Sequence, residues 1–564
     1  MWHKIVLFFI LIITILLLSC EAVSVEKLYQ KGMVVTASPI ASDIGLSVLK
    51  DGGNAFDAAV AVGFVLAVCF PEAGNIGGGG FAVTYSARDG AVRTLDFRET
   101  APGTATADMF LDDEGNVIPD ASLVGALASG VPGTVYGLYE LWKNYGTGDW
   151  YNLVEPALML ADTGFIVDAD LAGSLNAHMD GLRIFPETEK IFSPDGTPLA
   201  EGDRFIQKDL AGTLRKIALD SIDGFYSGTT ADLIVAASEK YDGLISRDDL
   251  KSYRPVWRSP IHFTFDSLDI YSMPPPSSGG VIMGMILKIL EPYDFYRYTP
   301  ESPEYIHLFT EACRLAYAER AVHLGDPDFV DNPIDELLNP VFLDTRRKLI
   351  DPERANISSE IGTGIPEITD KSESTTHFSI IDEDGNAVSL TYTINTPFGS
   401  KLVVDKAGFL LNNEMDDFAL KAGVPNYYGL IGSQANAVAP GKRMLSSMSP
   451  TIVIKKGKPF IILGSPGGSK IITAISEALL DITRFGLNPA EAVSQARFHH
   501  QWLPDTLYLE LGGFDINVKQ ALITRGHNIK ERNRYSEIQL IYINDNDMKI
   551  GASDPRGFGK AAGY

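Results

Sequence analysis

Residues 375–395, TTHFSIIDEDGNAVSLTYTIN, have the pattern of two β-strands joined by a tight turn. Apolar residues recur at every second position: Phe378, Ile380, Val388, Leu390 and Tyr392. This period is typical of strands. Asp384-Gly385 supplies the left-handed backbone positions that a hairpin turn requires. The stretch therefore predicts a buried hairpin whose first residue is a threonine.

The segment directly before the hairpin, residues 351–374, is polar and poor in large apolar side chains, which favours a solvated connector. Such a connector suits a chain that is cut before Thr375, leaving this residue with a free α-amino group. A threonine hydroxyl is a weak nucleophile, and an N-terminal threonine carries its base in its own amine. Thr-Thr at the start of a strand is also ordinary sheet composition, so both interpretations stay open on this stretch alone.

Composition indicates a globular protein with a large core. The chain has 564 residues, of which 45% are hydrophobic and 21% charged. Length alone allows about three or four domains. The net charge is −25 and the isoelectric point is near 4.8. Because such a surface repels polyanions, the charge argues against a nucleic-acid partner.

The first 20 residues have the pattern of a signal peptide. An apolar run at 5–18 follows Lys4 and is too short to span a bilayer comfortably. The run ends in Leu-Leu-Ser-Cys, which resembles a bacterial lipoprotein cleavage box with Cys20 as the acylated residue. A plain secretory signal cut near Ala22 or Ser24 is the alternative. Both predict export: to the bacterial periplasm, to a membrane facing it through a lipid at Cys20, or into the medium.

No metal or cofactor is expected. The chain has three cysteines, and Cys69 and Cys313 lie in apolar or helical stretches that predict buried thiols rather than a disulfide framework. No cysteine pair has metal-site spacing, and no His-Glu-x-x-His motif occurs. His499 and His500 have no third ligand at helical spacing, and we interpret them as structural.

Several features of the first 330 residues bear on a site. Four glycines at 77–80 are followed by a strand instead of a helix, which excludes a dinucleotide loop. Arg98 comes near the end of the next strand, where a lone arginine is ordinarily a solvated surface charge. Residues 131–329 are predicted to be mostly helical. Within them, the Pro- and Ser-rich segment 273–280 is predicted to be a rigid loop that enters a helix.

Two loops follow the hairpin. Residues 411–418 carry Glu414, Asp416 and Asp417, either as a solvated turn or as a cluster that receives an ammonium group. Residues 422–439 are rich in Gly, Asn and Tyr without apolar periodicity, which is typical of a long surface loop and of a lid.

A glycine-rich turn at 464–470 lies between a strand and a helix. It lacks the residues of a phosphate-binding loop. The backbone N–H groups of Gly467 and Gly468 could form an oxyanion hole. A plain connecting turn is the alternative.

Together and in this order, these features resemble the γ-glutamyltranspeptidases (glutathione hydrolases) of the N-terminal nucleophile hydrolase superfamily. The likeness covers about residues 34–564 and is most specific at 375–379, 410–418, 445–450 and 464–469. It implies a precursor that cuts itself before Thr375, giving a large subunit (21–374) and a small subunit (375–564) behind the signal peptide (1–20). It also implies one α+β domain, a four-layer αββα sandwich built from both interleaved subunits.

The resemblance assigns roles residue by residue. Thr375 is the nucleophile, and Thr393 orients its amine. The α-carboxylate of the substrate is held by Arg98, Ser446 and Ser447. Its α-amino group is held by Asn395, Glu414 and Asp417. The oxyanion hole is formed by Gly467 and Gly468, and the lid tyrosine is Tyr428.

The implied reaction is cleavage of the γ-glutamyl bond of glutathione and related compounds through a γ-glutamyl-threonine intermediate. The group then passes to water or to an amino acid or dipeptide. The implied active form is a heterodimer of the two subunits. Two alternatives are a β-lactam side-chain (glutaryl) acylase and a catalytically silent binding lipoprotein. The amine site and the lid argue against the acylase, because a glutaryl group has no amine.

Overall fold

The computed structural model describes residues 27–361 and 375–564. The predicted signal peptide at 1–20, including Cys20, and the upstream side of the predicted cut lie outside the described residues. Within these two ranges, no helix combines the length and the apolar composition needed to cross a membrane. The described chain forms two large β-sheets covered by helices.

The first sheet has seven strands. In spatial order these are β18 (Lys560–Gly563), β1 (Met33–Thr36), β9 (Thr376–Ile381), β10 (Ala387–Thr393), β2 (Gly79–Ser86), β3 (Ala91–Phe97) and β6 (Val256–Arg258). All neighbours in it are antiparallel. Strands from both sides of residue 375 are interleaved in this sheet.

The second sheet has six strands, also antiparallel. In spatial order these are β17 (Lys549–Ser553), β16 (Gln539–Ile543), β12 (Lys458–Gly464), β11 (Thr451–Lys455), β8 (Leu268–Ser272) and β7 (Ile261–Phe265). Smaller sheets are formed by β4 (Phe165–Ile166) with β5 (Arg204–Phe205), and by β13 (Phe498–His499), β14 (Leu507–Glu510) and β15 (Ile529–Arg532).

Helices lie outside the two sheets. Those before residue 256 are α1 (Pro39–Lys50), α2 (Ala55–Cys69), α3 (Thr134–Tyr145), α4 (Trp150–Thr163), α5 (Ala169–Leu182), α6 (Pro186–Phe192), α7 (Lys208–Asp220), α8 (Asp223–Tyr226), α9 (Gly228–Lys240) and α10 (Arg247–Ser252). Those after it are α11 (Gly279–Leu290), α12 (Pro303–His323), α13 (Ile334–Leu337), α14 (Pro340–Arg347), α15 (Ser358–Ile361), α16 (Ile471–Thr483), α17 (Pro489–Ser494) and α18 (Ile516–Thr524).

The layers of the fold are defined by separate clusters of buried apolar side chains. One core cluster joins α2, which is buried on every side, to the outer face of the first sheet through Phe378 and Leu390. A second cluster joins α11, α12 and α16 to the outer face of the other sheet. A third lies between the sheets and includes Val35, Ile381 and Ile462. Each sheet buries both faces, which gives the predicted order of helix, sheet, sheet and helix.

The β9–β10 hairpin forms as the sequence predicts. Gly385 has a positive φ of 90°, and Asn386 N–H donates to the Asp382 carboxylate (2.9 Å), which closes the turn. Phe378 pairs with Leu390 across the ladder, and Thr376 pairs with Tyr392. This register brings the residue before β9, Thr375, beside the last residue of β10, Thr393.

Two stretches differ locally from what the sequence indicated. Residues 256–272, placed in a mostly helical region, form β6, β7 and β8. The segment 351–361 is mostly exposed, as expected for a solvated connector, but one of its residues is anchored. Ser358 is buried, its N–H donates to Asp505 (2.8 Å), and its carbonyl accepts from Trp502 Nε1 (2.8 Å). These hydrogen bonds offset the scarcity of apolar side chains that suggested a free connector.

Candidate active site

Thr375 lies at the rim of the first sheet, directly before β9. It is 6% exposed, and its hydroxyl contacts the Thr393 hydroxyl at an Oγ1–Oγ1 distance of 3.4 Å. Thr393 Oγ1 also accepts the backbone N–H of Asn395 (2.7 Å). Because β9 is fixed between β1 and β10, the position of Thr375 is set by the central ladder of the sheet.

Thr375 opens into a pocket that gathers most of the predicted site residues. Its wall includes Arg98, Thr375, Thr393, Asn395, Glu414, Asp417, Tyr428, Ser446, Ser447 and Gly468. Gly467 immediately precedes Gly468 in the chain. Residues from six separate stretches therefore meet at one place, although more than 300 positions separate Arg98 from Glu414.

Arg98 is not the solvated charge that its position at a strand end suggested. It is 1% exposed, and its guanidinium pairs with Glu414 (2.7 Å) and Asp417 (2.5 Å). Glu99 lies slightly farther away, at 3.8 Å. Burial opposes the charge of Arg98, but these three carboxyl groups together hold its pKa above the usual value. The partners are what make burial of this arginine possible.

The three carboxyl groups are correspondingly poor acids. Burial, only partly offset by Arg98, raises the pKa of Glu414 well above its usual value and also raises the pKa of Asp417. Burial raises the pKa of Glu99 to about 8. An ammonium ion entering between them would favour their ionised forms. The cluster in 411–418 is thus a buried acceptor group and not a solvated turn.

Hydrogen bonds fix the polar groups that face the pocket. Asn395 donates through Nδ2 to Asn413 O (3.0 Å), so the group that it can offer to an ammonium is its Oδ1. Ser446 Oγ accepts the N–H of Met448 (3.1 Å), which leaves its own hydrogen for a ligand. Acceptors and hydroxyl donors thus both line the pocket, as binding of a zwitterion requires.

The glycine turn borders the same pocket. Gly467 and Gly468 both have positive φ, at 132° and 51°, and a 3₁₀ turn (Gly468–Lys470) leads into α16. A Cβ on Gly468 would come within 2.7 Å of the Tyr428 ring. This close approach, together with the backbone conformation, accounts for glycine here.

Tyr428, the predicted lid tyrosine, lines the pocket. It is buried, and its hydroxyl donates to Asn395 O (2.9 Å). Its own carbonyl accepts from Gln501 Nε2 (3.1 Å), and Gln501 accepts from Ser469 Oγ (2.6 Å) and contacts His499 Nε2 (2.9 Å). His499 is therefore part of the support beneath the lid loop, in keeping with a structural role.

Within the described parts of the chain, one group of side chains has ligand atoms close enough to hold a metal ion: His307, Glu311 and His527. In the structure the two histidines contact each other, and Glu311 is bound by an arginine. His307 Nδ1 and His527 Nε2 are 2.8 Å apart, His307 Nε2 contacts Asp351 O (2.8 Å), and Arg314 binds Glu311 (3.2 Å). The neighbouring guanidinium disfavours a cation, so we interpret the group as a hydrogen-bond network. The absence of a metal stays a prediction.

Sequence reasoning missed some of the pocket wall. Arg320, on α12, and Ser469 line it, and Glu99 lies beside Arg98. Arg320 lies in an ordinary helical pattern with no local signal of function. Cys69 and Cys313, by contrast, are free and buried as predicted.

The family model described as "Gamma-glutamyltranspeptidase" matches residues 41–564. This chain belongs to the γ-glutamyltranspeptidase family. A relative from Escherichia coli (strain K12), named "Glutathione hydrolase proenzyme", is 46% identical over 539 residues, covering 95% of this chain and 92% of the relative.

Solved structures place this γ-glutamyltranspeptidase among the N-terminal nucleophile hydrolases. A cephalosporin acylase from Bacillus halodurans matches with a TM-score of 0.85 at 27% identity, covering 97% of this chain and 98% of the acylase. A γ-glutamyltranspeptidase from Helicobacter pylori matches with a TM-score of 0.57 at 43% identity, covering 59% of this chain and 96% of that one.

These findings confirm the predicted family, the predicted α+β sandwich and the predicted enzyme class, a γ-glutamyltransferase and glutathione hydrolase. They favour this class over the glutaryl acylase alternative, which shares the fold.

Proposed function

We propose that the chain is a self-cleaving precursor whose two fragments form a γ-glutamyl hydrolase and transferase, with Thr375 as the nucleophile and glutathione as a substrate. The observation that carries the proposal is that Thr375 opens into the pocket that holds Arg98, Glu414 and Asp417. A nucleophile, donors for a carboxylate and acceptors for an ammonium thus lie within reach of one γ-glutamyl group.

Self-cleavage hydrolyses the peptide bond between Ser374 and Thr375. One water is consumed, and Ser374 gains a carboxylate while Thr375 gains an α-amine. Before the cut, the nitrogen of Thr375 is an amide and cannot act as a base. Afterwards the amine can take the proton of its own hydroxyl, with Thr393 as its orienting neighbour. Cleavage thereby creates the base as well as the free nucleophile.

In turnover, Thr375 Oγ attacks the γ-carbonyl carbon of the substrate and its amine takes the hydroxyl proton. The N–H groups of Gly467 and Gly468 stabilise the negative oxygen of the intermediate, and losing one such donor typically reduces the rate by about 10²–10³. The C–N bond then breaks, the leaving amine receives the proton, and an ester remains on Thr375. Water or the amine of an amino acid or dipeptide attacks this ester and regenerates the enzyme.

The substrate is oriented by its zwitterionic end. Its α-carboxylate binds Arg98 and the hydroxyls of Ser446 and Ser447, since a guanidinium fork matches a carboxylate. Its α-ammonium binds Asn395 Oδ1 and the carboxylates of Glu414 and Asp417. Tyr428 closes over the bound group. Fixing both ends places the γ-carbonyl at Thr375, and such orientation supplies a large part of the rate enhancement.

The same proposal assigns the chain to the outside of the cytoplasm. Residues 1–20 act as the export signal, with Cys20 either lipidated or removed, and the fragments 21–374 and 375–564 stay together as a heterodimer. Neither fragment holds either large sheet complete, because β1 and β9 lie side by side in the first sheet and β8 and β11 in the second.

The test is to express residues 21–564, separate the product on a denaturing gel and sequence the N-terminus of the smaller band. The expected sequence is Thr-Thr-His, together with release of p-nitroaniline from γ-glutamyl-p-nitroanilide and of cysteinylglycine from glutathione. Thr375→Ala should stay uncut and inactive, whereas Thr375→Ser should retain both reactions at a reduced rate. A Thr375→Ala protein that is cut and active would overturn the proposal.

A further inference from the structure

Arg320 is a buried cation at the wall of the active-site pocket whose contacts differ from those of Arg98. It is 4% exposed, and its Nε donates to Ser278 Oγ (2.9 Å) while its Nη2 donates to Ser447 Oγ (3.3 Å). Within residues 27–361 and 375–564, no carboxylate forms an ion pair with it. Burial lowers its pKa, although the charge of Asp417 partly opposes this. A buried cation bonded only to hydroxyls is costly unless an anion comes near it.

The hydrogen bonds of the two serines set their directions. Ser278 Oγ donates to Ser446 O (2.8 Å), so it can only accept from Arg320. A guanidinium has donors alone, so Ser447 Oγ must also accept from Arg320, and its single hydrogen points elsewhere. Ser447 lines the pocket. Arg320 thus turns the Ser447 hydroxyl into a donor toward the pocket.

The Pro- and Ser-rich loop 273–280 completes this arrangement from behind. Ser446 N–H donates to Pro276 O (2.7 Å), Ser278 N–H donates to Ser446 O (2.8 Å), and Ser277 Oγ donates to Met448 O (2.6 Å). A Cβ on Gly279 would collide with Ser449 Oγ, so the two backbones lie in contact. The loop predicted to be rigid therefore holds the segment that carries Ser446 and Ser447.

We propose that Arg320 is a positioning residue, held by Ser278, that orients Ser447 and adds a second positive charge for the α-carboxylate of the substrate. The inference deepens the proposed function and rests on it. Arg98 alone is poorly suited to this task, because Glu414 and Asp417 already contact its guanidinium. The guanidinium of Arg320, by contrast, is bonded to the hydroxyls of Ser278 and Ser447, which do not neutralise its charge.

Three p-nitroanilide donors separate recognition of the α-carboxylate from recognition of the α-amine. The γ-glutamyl donor has both α-groups, the 4-aminobutyryl donor lacks only the α-carboxylate, and the glutaryl donor lacks only the α-amine. In Arg320→Gln, the preference in kcat/KM for the γ-glutamyl over the 4-aminobutyryl donor should fall about 10- to 100-fold, the range for a hydrogen bond to a charged group. The preference over the glutaryl donor should change less than about 2-fold, since the amine site is untouched.

Two further variants test whether the effect passes through Ser447. Ser447→Ala should lose the same preference, and the Arg320→Gln/Ser447→Ala double variant should lose less than the product of the two single losses, because the residues act as a unit. Arg320→Lys keeps the charge without the fork and should lie between Arg320→Gln and the unchanged protein.

Arg314→Gln is the matched control. Arg314 is also a buried arginine on α12, but it pairs with Glu311 and Asp505 away from the pocket. Arg314→Gln should alter the stability of the protein, and the preferences for the γ-glutamyl donor over the 4-aminobutyryl and glutaryl donors should stay unchanged. Self-cleavage and the thermal midpoint report folding of every variant. If Arg320→Gln does not fold, Ser278→Ala tests the same point, with an expected loss of about 2- to 10-fold in the carboxylate preference.

Equal losses on all three donors in Arg320→Gln, or an unchanged carboxylate preference, would overturn the inference while leaving the proposed function intact. Failure of the proposed function would look different: the unchanged chain would stay uncut or would not hydrolyse the γ-glutamyl donor at all.

Discussion

The close contact between Gly468 and Tyr428 offers a way to measure how much Tyr428, the predicted lid tyrosine, contributes to catalysis. In Gly468→Ala, the new methyl group would lie 2.7 Å from two atoms of the Tyr428 ring. Ordinary carbon contacts are about 3.5–4.0 Å, so the ring must move by about 1 Å. Overpacking of this kind costs about 1–3 kcal/mol, and the hydrogen bond from Tyr428 to Asn395 O, worth about 0.5–1.5 kcal/mol, would be strained.

If the ring relieves the clash by swinging outward, we expect a net loss of about 2 kcal/mol in transition-state binding, or about 30-fold in kcat/KM. The assay is steady-state hydrolysis of γ-glutamyl-p-nitroanilide. In a Tyr428→Ala background the methyl group has room, so Gly468→Ala should then cost much less. A loss of the same size in both backgrounds would refute the steric argument. Gly486→Ala, at a positive φ of 71° with open space around it, is the control for backbone strain.

Three further predictions concern the strands and the acidic cluster. Thr393→Val removes the hydroxyl that accepts the Asn395 N–H, and we expect kcat and the rate of self-cleavage on a gel time course to fall about 10- to 100-fold; unchanged rates would contradict its orienting role. In Glu414→Gln, the acid limb of the kcat/KM profile should shift to lower pH. Burial raises the pKa of Glu414, so its ionised form is lost at a higher pH than that of an ordinary glutamate, and an unmoved limb would rule out this role. Burial lowers the pKa of His377 to about 3, whereas the pKa of an unfolded histidine is about 6.5. The stability that the buried neutral ring contributes is therefore complete above about pH 6.5. As pH falls from there toward 3, the unfolding free energy decreases by about 1.4 kcal/mol per pH unit. In urea denaturation of the uncut Thr375→Ala chain, His377→Gln should therefore flatten the fall in unfolding free energy between about pH 6 and 4.

The hairpin could be predicted because its signals are local. The apolar period of β9 and β10 and the Asp384-Gly385 turn lie within 21 residues, and the glycine turn before α16 is equally compact. The alternation of Ile261, Phe263 and Phe265 is a comparable signal for β7. This strand was not predicted because the sequence on both sides of it has a mostly helical pattern.

Arg98 and Arg320 could not be predicted from their surroundings. A buried arginine depends on partners, and those of Arg98 come from a loop more than 300 residues later in the chain. Only the resemblance to a family singled out Arg98, and nothing singled out Arg320. The anchoring of Ser358 could not be predicted for the same reason, because its partners Asp505 and Trp502 are remote in sequence.

The interleaving of strands from the two sides of residue 375 has a consequence for the proposed cut enzyme. Among the residues that the structure describes, four strand pairings would cross a cut before Thr375: β18 with β1, β1 with β9, β10 with β2, and β11 with β8. Strand β1 would lose both of its neighbours if the fragments separated. We therefore expect that the two fragments cannot dissociate without unfolding. Isotopically light and heavy enzymes mixed under native conditions should keep their original pairs, and dilution should not inactivate them.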